Sequence, residues 1–433
     1  MSERPRVLIL ADECNPEWPS LPIVAYKYAK ALSELCDVTV ATQVRNRENI
    51  SKLHPDGGGD GLSFAFIDTE YIANPIFRLA SFLRGNPEVA WSTGMVLNYL
   101  PYIEFERQIW RRFGPALEAG GFDIVHRISP MSPTMPSYMA GRGPQPFVLG
   151  PLNGNLDWPP AFLDEQKREK EGLRRLRNLY KHLPFVARTW RGTKCVLAAF
   201  QHTIDDLDAV PAERIVMFPE VGYDEAIFHP PAVREGDPTG PMQFLYAGRL
   251  VPYKLPEVAI RAFAGSEKLA GHLLHIVGDG PERGRLEAMV AELGAGDRIR
   301  FAGRQNQMAV ADFMRRCDVF VFPSIRELGA GVVVEAMACG LIPLVVDYGG
   351  PADLVAPDRG VKVPLADRES LIAAFRAAME ERVEARGTPA EAALRAAAER
   401  YAYEGYRWSR KADHTRAIYR CLMNGRTDFP RPY

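Results

Sequence analysis

The chain has 433 residues, a formal net charge of −1, 47% hydrophobic and 25% charged residues, and six cysteines. That length exceeds one ordinary core and points to two domains. The balanced charge gives no general pull toward nucleic acid, and no run of 18 apolar residues is present to span a membrane. Cys14, Cys36, Cys195, Cys317, Cys339 and Cys421 are scattered without a Cys-x-x-Cys pair. Reduced thiols in a cytoplasmic protein fit this better than a disulfide framework or a zinc site. Asp12 and Glu13 interrupt the first apolar run too early for a signal peptide.

In chain order, Val7–Ala11 predicts a buried strand and Ala25–Leu35 an amphipathic helix. Further strands are predicted at Asp37–Thr42, Leu62–Ile67, Asp123–Ile128, Phe147–Leu152, Cys195–Ala199 and Ile215–Phe218. Continuous β-branched runs between helical patterns predict a parallel sheet covered on both faces. Proline, glycine and charge without periodicity mark 229–242 as a linker. A second series follows, with strands at Gln243–Ala247, Leu273–Val277, Ile299–Ala302, Asp318–Phe322 and Ile342–Val346. Helices are predicted at Pro256–Leu269, Pro281–Leu293, Gln307–Arg316, Val332–Cys339 and Trp408–Leu422. The expected architecture is α/β, with two Rossmann-like domains, 1–228 and 243–404, and a C-terminal segment 405–433. Ligands in such sheets bind outside the carboxyl ends of the strands, so the loops of both domains are expected to face a cleft.

Those loops hold the informative residues. Glu327 and Glu335 flank a glycine-rich turn, Gly329-Ala330-Gly331, that opens a helix after a buried strand. A helix N-terminus offers unpaired N–H groups and partial positive charge to a phosphate. An ionised carboxylate accepts hydrogen bonds from ribose or sugar hydroxyls. Arg249 follows Gly248 at the end of another strand, with Lys254 five residues on. Two cations there can stabilise the charge that grows on a departing diphosphate. Gly278, Gly280 and Gly284 depart from the dinucleotide spacing and suggest a tight turn beside a nucleotide. The Gly303–Arg304 turn can meet a base edge, and Gly349–Gly350 permits close backbone approach.

In this order, Gly248-Arg-Leu with Lys254, Gly278-Asp-Gly-Pro, Pro323-Ser324, Glu327 to Glu335 and Gly349–Gly350 resemble the family-4 retaining glycosyltransferases. The resemblance implies the GT-B fold, with 1–228 as acceptor-binding domain, 243–404 as nucleotide-sugar-binding domain, and 405–433 crossing back to the first. It implies that Arg249 and Lys254 hold the diphosphate and that Glu335 holds the ribose. Glu327 and the Gly329–Gly331 turn would face the donor sugar, with Gly248 and Gly278 beside the donor and Arg304 near the base. His126, at the end of a strand, matches the family's transition-state positioner; a histidine hydrogen-bonded within the fold is the alternative reading. Asn153 and Trp18 are candidate acceptor contacts. The first loop, Asp12 to Pro22, lacks the family's glycine pair, and Asp353 stands where a glutamate is common.

The expected activity is sugar transfer from a nucleoside diphosphate sugar, UDP favoured over GDP, to a hydroxyl acceptor. The acceptor could be a saccharide, a lipid-linked saccharide or a small molecule, in cell-surface polysaccharide, glycolipid or natural-product synthesis. No metal or other cofactor and no nucleic acid is expected. The basic stretch Gln166–Lys181, with Leu173, Leu176 and Tyr180 on one side, suggests peripheral contact with an anionic membrane face; a solvated helix packed by its leucines is the alternative. Two other readings stay open: a non-catalytic nucleotide-sugar-binding subunit, motivated by the altered first loop, and an epimerase.

Overall fold

The computed structural model describes residues 4–59, 61–76, 91–168, 181, 183–232 and 240–433. Of the basic stretch Gln166–Lys181, residues 169–180 lie outside the described residues, as do 77–90 and residues 233–239 of the linker.

Strand β1 (Arg6–Ala11) is flanked by β2 (Asp37–Gln43) and β5 (Ile124–Ser129), both parallel to it. Its register pairs Ile9 with Val40 on one side and His126 on the other. With β3 (Gly58–Gly59), β4 (Leu62–Ile67), β6 (Phe147–Leu152), β7 (Thr193–Ala198) and β8 (Ile215–Met217), the described strands form one sheet ordered β3-β4-β2-β1-β5-β6-β7-β8. Only β3 pairs antiparallel among them. Alternation along β5 sends Ile124, His126 and Ile128 to one face and Val125 and Arg127 to the other. The first face packs under helices Leu21–Ser33 and Trp408–Met423, the second under helix Trp91–Glu118.

The second sheet holds β9 (Gln243–Ala247), β10 (Leu273–Val277), β11 (Ile299–Gly303), β12 (Val319–Phe322), β13 (Ile342–Val346) and β14 (Val361–Val363). Its order is β11-β10-β9-β12-β13-β14, parallel throughout. Every expected strand is present with ends shifted by at most two residues; most, such as β5, β6, β12 and β13, are short apolar runs buried on both faces, while β4 and β11 keep exposed positions.

The chain divides into two compact units. The first is Met1–Asn155, Lys170–Glu220 and Trp408–Tyr433; the second is Leu156–Glu169 and Val221–Arg407. Leu156–Glu169 joins the second unit because Trp158 and Phe162 enter its core and because Glu165, buried, pairs with Arg368, which also pairs with the buried Glu257. Burying that charge costs little only while every partner is present. In the first unit the C-terminal helix packs on helix Leu21–Ser33, where the Tyr28 and Thr415 hydroxyls hydrogen-bond at 2.5 Å. Among the described residues no helix is long and apolar enough to cross a membrane.

Candidate functional site

In the second sheet the chain order reverses beside β9, which has β10 on one side and β12 on the other. The loops leaving β9 and β12 therefore diverge at the carboxyl edge, the usual ligand position in a parallel sheet. Lys254 comes from the first loop and Glu327 from the second, and they form an ion pair. Lys254 sits on a short turn, Pro252–Lys254, closed by Leu255 in the left-handed region (φ 43°) and followed by Pro256 at the start of helix Pro256–Ala264. Its ammonium lies 5.2 Å from the centre of the Phe322 ring. Burial works against its charge, yet Glu327 outweighs this, and the Lys254 ammonium stays protonated above its ordinary range.

Glu327 is held from two further directions. Ser324 Oγ, fully buried, donates to Glu327 Oε1 at 3.0 Å. The Glu327 carbonyl accepts from Gly350 N at 3.0 Å, tying the β12 loop to the β13 loop. Gly349 (φ 65°) is required there, since a Cβ would meet that carbonyl at 2.7 Å and Leu156 Cδ2 at 2.7 Å. Arg249 is exposed and makes no ion pair among the described residues. Ala330 adopts the left-handed region (φ 51°) and opens helix Gly331–Ala338, whose N-terminus no described side chain caps. Glu335 lies half-buried in that helix, and Arg304 is exposed after β11.

The glycines after β9, β10 and β11 form a backbone stack. Gly248 N donates to Val277 O at 2.9 Å, Gly278 N to Gly303 O at 2.9 Å, and Leu250 N to Asp279 O at 2.9 Å. A Cβ on Gly278 would stand 1.9 Å from Gly248 O, and one on Gly280 2.3 Å from Leu250 O. These glycines let the two loops touch each other, while Gly284 has open space and no such duty.

In the first unit, His126 is fully buried and both ring nitrogens are committed. Nε2–H donates to Gly150 O at 2.6 Å, so Nδ1 accepts from the Tyr419 hydroxyl at 2.5 Å. Burial pushes its pKa down to about 4, which keeps the ring neutral. The sequence suggested a positioner of the reacting sugar; the structure gives His126 a bracing position that joins β5, β6 and the C-terminal helix. This is the geometry of the alternative reading, a histidine hydrogen-bonded within the fold.

The glycine-free first loop is shaped by side chains instead. Asn15 Oδ1 accepts from Glu17 N (3.0 Å) and Asn49 Nδ2 (3.1 Å), and Asn15 Nδ2 donates to Asn46 Oδ1 (3.2 Å). Asp12 accepts from Ser129 Oγ at 2.7 Å at the β1/β5 reversal. Beside it Glu13 is pushed up to about 7, by burial and then by the Asp12 charge, against Arg45. Trp18 is 37% exposed on this loop. Asn153 is buried and donates to Glu220. The contacts made by Ser324, Asp12, Glu13, His202 and Glu220 were not legible in the sequence. A serine three residues before Glu327 was the one available signal, and the others depend on contacts remote in sequence. Among the described residues no group of three or more His, Cys, Asp or Glu could hold a metal ion.

Residues 233–402 match the family model for glycosyl transferases group 1. The D-inositol 3-phosphate glycosyltransferase of Stackebrandtia nassauensis is 31% identical over 166 residues, covering 35% of this chain and 37% of that protein. The chain thus spans little more than a third of that relative's length. Among solved structures, the sucrose-phosphate synthase of Thermosynechococcus elongatus superposes with a TM-score of 0.66 at 17% identity, covering 98% of this chain and 100% of that one. Anabaena Alr3699/HepE in complex with UDP and glucose gives 0.60 at 15%, covering 96% and 99%. These likenesses carry the fold, which is GT-B.

Proposed function

Because residues 233–402 match the family model for glycosyl transferases group 1, we propose that this chain moves a sugar from a nucleoside diphosphate sugar to a hydroxyl acceptor with retention of configuration. The observation that carries this reading is the Lys254–Glu327 pair at the reversal point of the second sheet, with the exposed Arg249 near Lys254. In this reading the diphosphate draws on Arg249 and Lys254, whose charges grow in value as the leaving oxygen becomes anionic. Glu327, held by Ser324, accepts a hydroxyl of the donor sugar, and Glu335 accepts from the ribose. The leaving phosphate takes the acceptor's proton, so catalysis rests on positioning and electrostatics rather than a protein base. No metal is needed where two cations carry the diphosphate. A uridine donor is favoured over guanosine, in keeping with the UDP held by the HepE structure.

The test is thermal unfolding with UDP, GDP, ADP and dTDP, followed by nucleotide release from the matching sugar donors. Ligand at 100 times its dissociation constant adds about 2.7 kcal/mol, enough to move the midpoint by some degrees. A shift with one nucleotide and release from its sugar donor support the reading. A shift without release under any acceptor condition moves the chain to a nucleotide-sugar-binding subunit, the reading that the side-chain-built first loop favours. No shift with any nucleotide removes both.

A further inference from the structure

Three loops meet at the carboxyl edge of the first sheet. Asn153 directly follows β6, His202 lies four residues beyond β7, and Glu220 three beyond β8. Asn153 Nδ2 donates to Glu220 Oε1 at 2.6 Å. That turns Asn153 Oδ1 toward His202 Nε2, 3.3 Å away, so Nε2 carries the proton. Thr203 Oγ1 donates to Gly154 O at 3.1 Å and accepts from Gly154 N at 3.2 Å, which locks two of the loops together.

Among the described residues this arrangement leaves two polar atoms without a partner. Glu220 Oε2 and His202 Nδ1 are buried and make no hydrogen bond there, and Glu220 as a whole is 5% exposed. An unpaired buried carboxylate oxygen is costly, and here it sits in one cluster with an unpaired ring nitrogen. Lys411 lies near enough to favour the Glu220 charge but directs its ammonium to Pro219 O. Burial holds the His202 ring neutral, at about 4, and raises Glu220 above the ordinary carboxyl range. His202 Nδ1 therefore presents a lone pair. Glu220 Oε2 either accepts or, when protonated, donates. When Glu220 is protonated, one hydroxyl can accept from Oε2 and donate to His202 Nδ1; when it is ionised, both atoms are acceptors and two hydroxyls, each donating once, satisfy them. A cation suits only the ionised carboxylate, which burial disfavours.

We propose that Asn153, His202 and Glu220 form a subsite for the hydroxyl groups of a polyol, the acceptor class of the transfer proposed above. Asn153 orients the other two, and Glu220 and His202 make the contacts. This deepens the glycosyltransferase reading and rests on it for the word acceptor, but the binding itself can be measured alone.

The experiment uses the full chain and two neutral probes, myo-inositol and methyl α-D-glucopyranoside, followed by saturation-transfer NMR and calorimetric titration. Wild type is compared with Glu220→Gln, which keeps shape, and His202→Phe, which keeps ring volume. The UDP-induced thermal shift is recorded for each as a check on folding and on the donor site. The expected result is binding of at least one probe to wild type, weakened about tenfold or more in both variants, with the UDP shift unchanged. Equal affinity in wild type and both variants overturns the subsite, and so does the absence of binding by both probes. Variant-sensitive polyol binding without any UDP shift upholds the subsite and counts against the donor reading.

Discussion

At Lys254 one charge answers two demands. It is half of an ion pair with Glu327, and in the proposed reading it is one of the two cations on which a diphosphate draws. Lys254→Ala is expected to abolish the nucleotide-induced thermal shift and to lower turnover by about 10²–10³, the loss seen when a preorganised electrostatic donor is removed. Unchanged turnover in a folded variant would refute the role. Ser324→Ala leaves Glu327 with Lys254 alone and is expected to cost about tenfold in kcat/KM, recovered in Ser324→Thr. A variant series in which alanine and threonine behave alike would remove Ser324 from the site. His126 belongs to a different kind of residue. His126→Ala orphans the Tyr419 hydroxyl and Gly150 O, both deep in the first unit. Urea unfolding is expected to show a loss of about 2–4 kcal/mol with the UDP shift preserved. Its pKa also fixes a sign. From the ordinary 6.5 to about 4, the unfolded chain takes up a proton that folded His126 refuses. Stability is therefore intact above pH 6.5 and falls as the pH drops toward 4, by up to about 3 kcal/mol for this residue. His202 has the same direction. A stability that stays level across that window would show these rings are not held neutral.

At the scale of elements, the loops after β9 and β10 depend on each other through glycine. Gly278 sits at φ 146° with its missing Cβ in the place of Gly248 O. Gly278→Ala must push the β9 loop away and is expected to lower the melting temperature sharply and to erase the UDP shift. Gly284→Ala is the contrast: it lies in helix Arg283–Glu292 with nothing within 4 Å of the added methyl. That variant is expected to be neutral or to stabilise by up to about 1 kcal/mol. Equal damage from the two substitutions would contradict the stacked-loop account. Sequence reading separated these glycines only in part. The irregular spacing argued against a dinucleotide fingerprint, but which glycine touches which carbonyl depends on neighbouring strands. Legibility followed burial in the same way. The strands were plain because an apolar run buried on both faces needs no partner to be recognised. Helices Arg368–Glu384 and Pro389–Gly405 are rich in alanine and charge, and their apolar faces are too sparse to stand out.

At the scale of the molecule, the two units have separate cores, one built on Phe244, Tyr246 and Ile260, the other on the two faces of the first sheet. Calorimetry is expected to resolve this. UDP should raise the transition of the second unit, and lowering the pH from 6.5 to 4 should lower that of the first, which contains His126 and His202. A transition that responds to both in equal measure would mean the cores do not melt as units. By itself the amino-acid sequence determined the two series of strands, the loops at their carboxyl ends, and the cations and carboxylates those loops carry, since each is written within a few consecutive residues. Only the tertiary structure decided which residues those groups meet. His126 and Tyr419 are 293 positions apart, and Glu220 meets Asn153 across 67. Leu156–Glu169 joins the second core through Trp158 and the Glu165–Arg368 pair, which span 203 positions. Such contacts are selected by burial and by the pairing of buried polar groups across the whole chain, so no local pattern announces them.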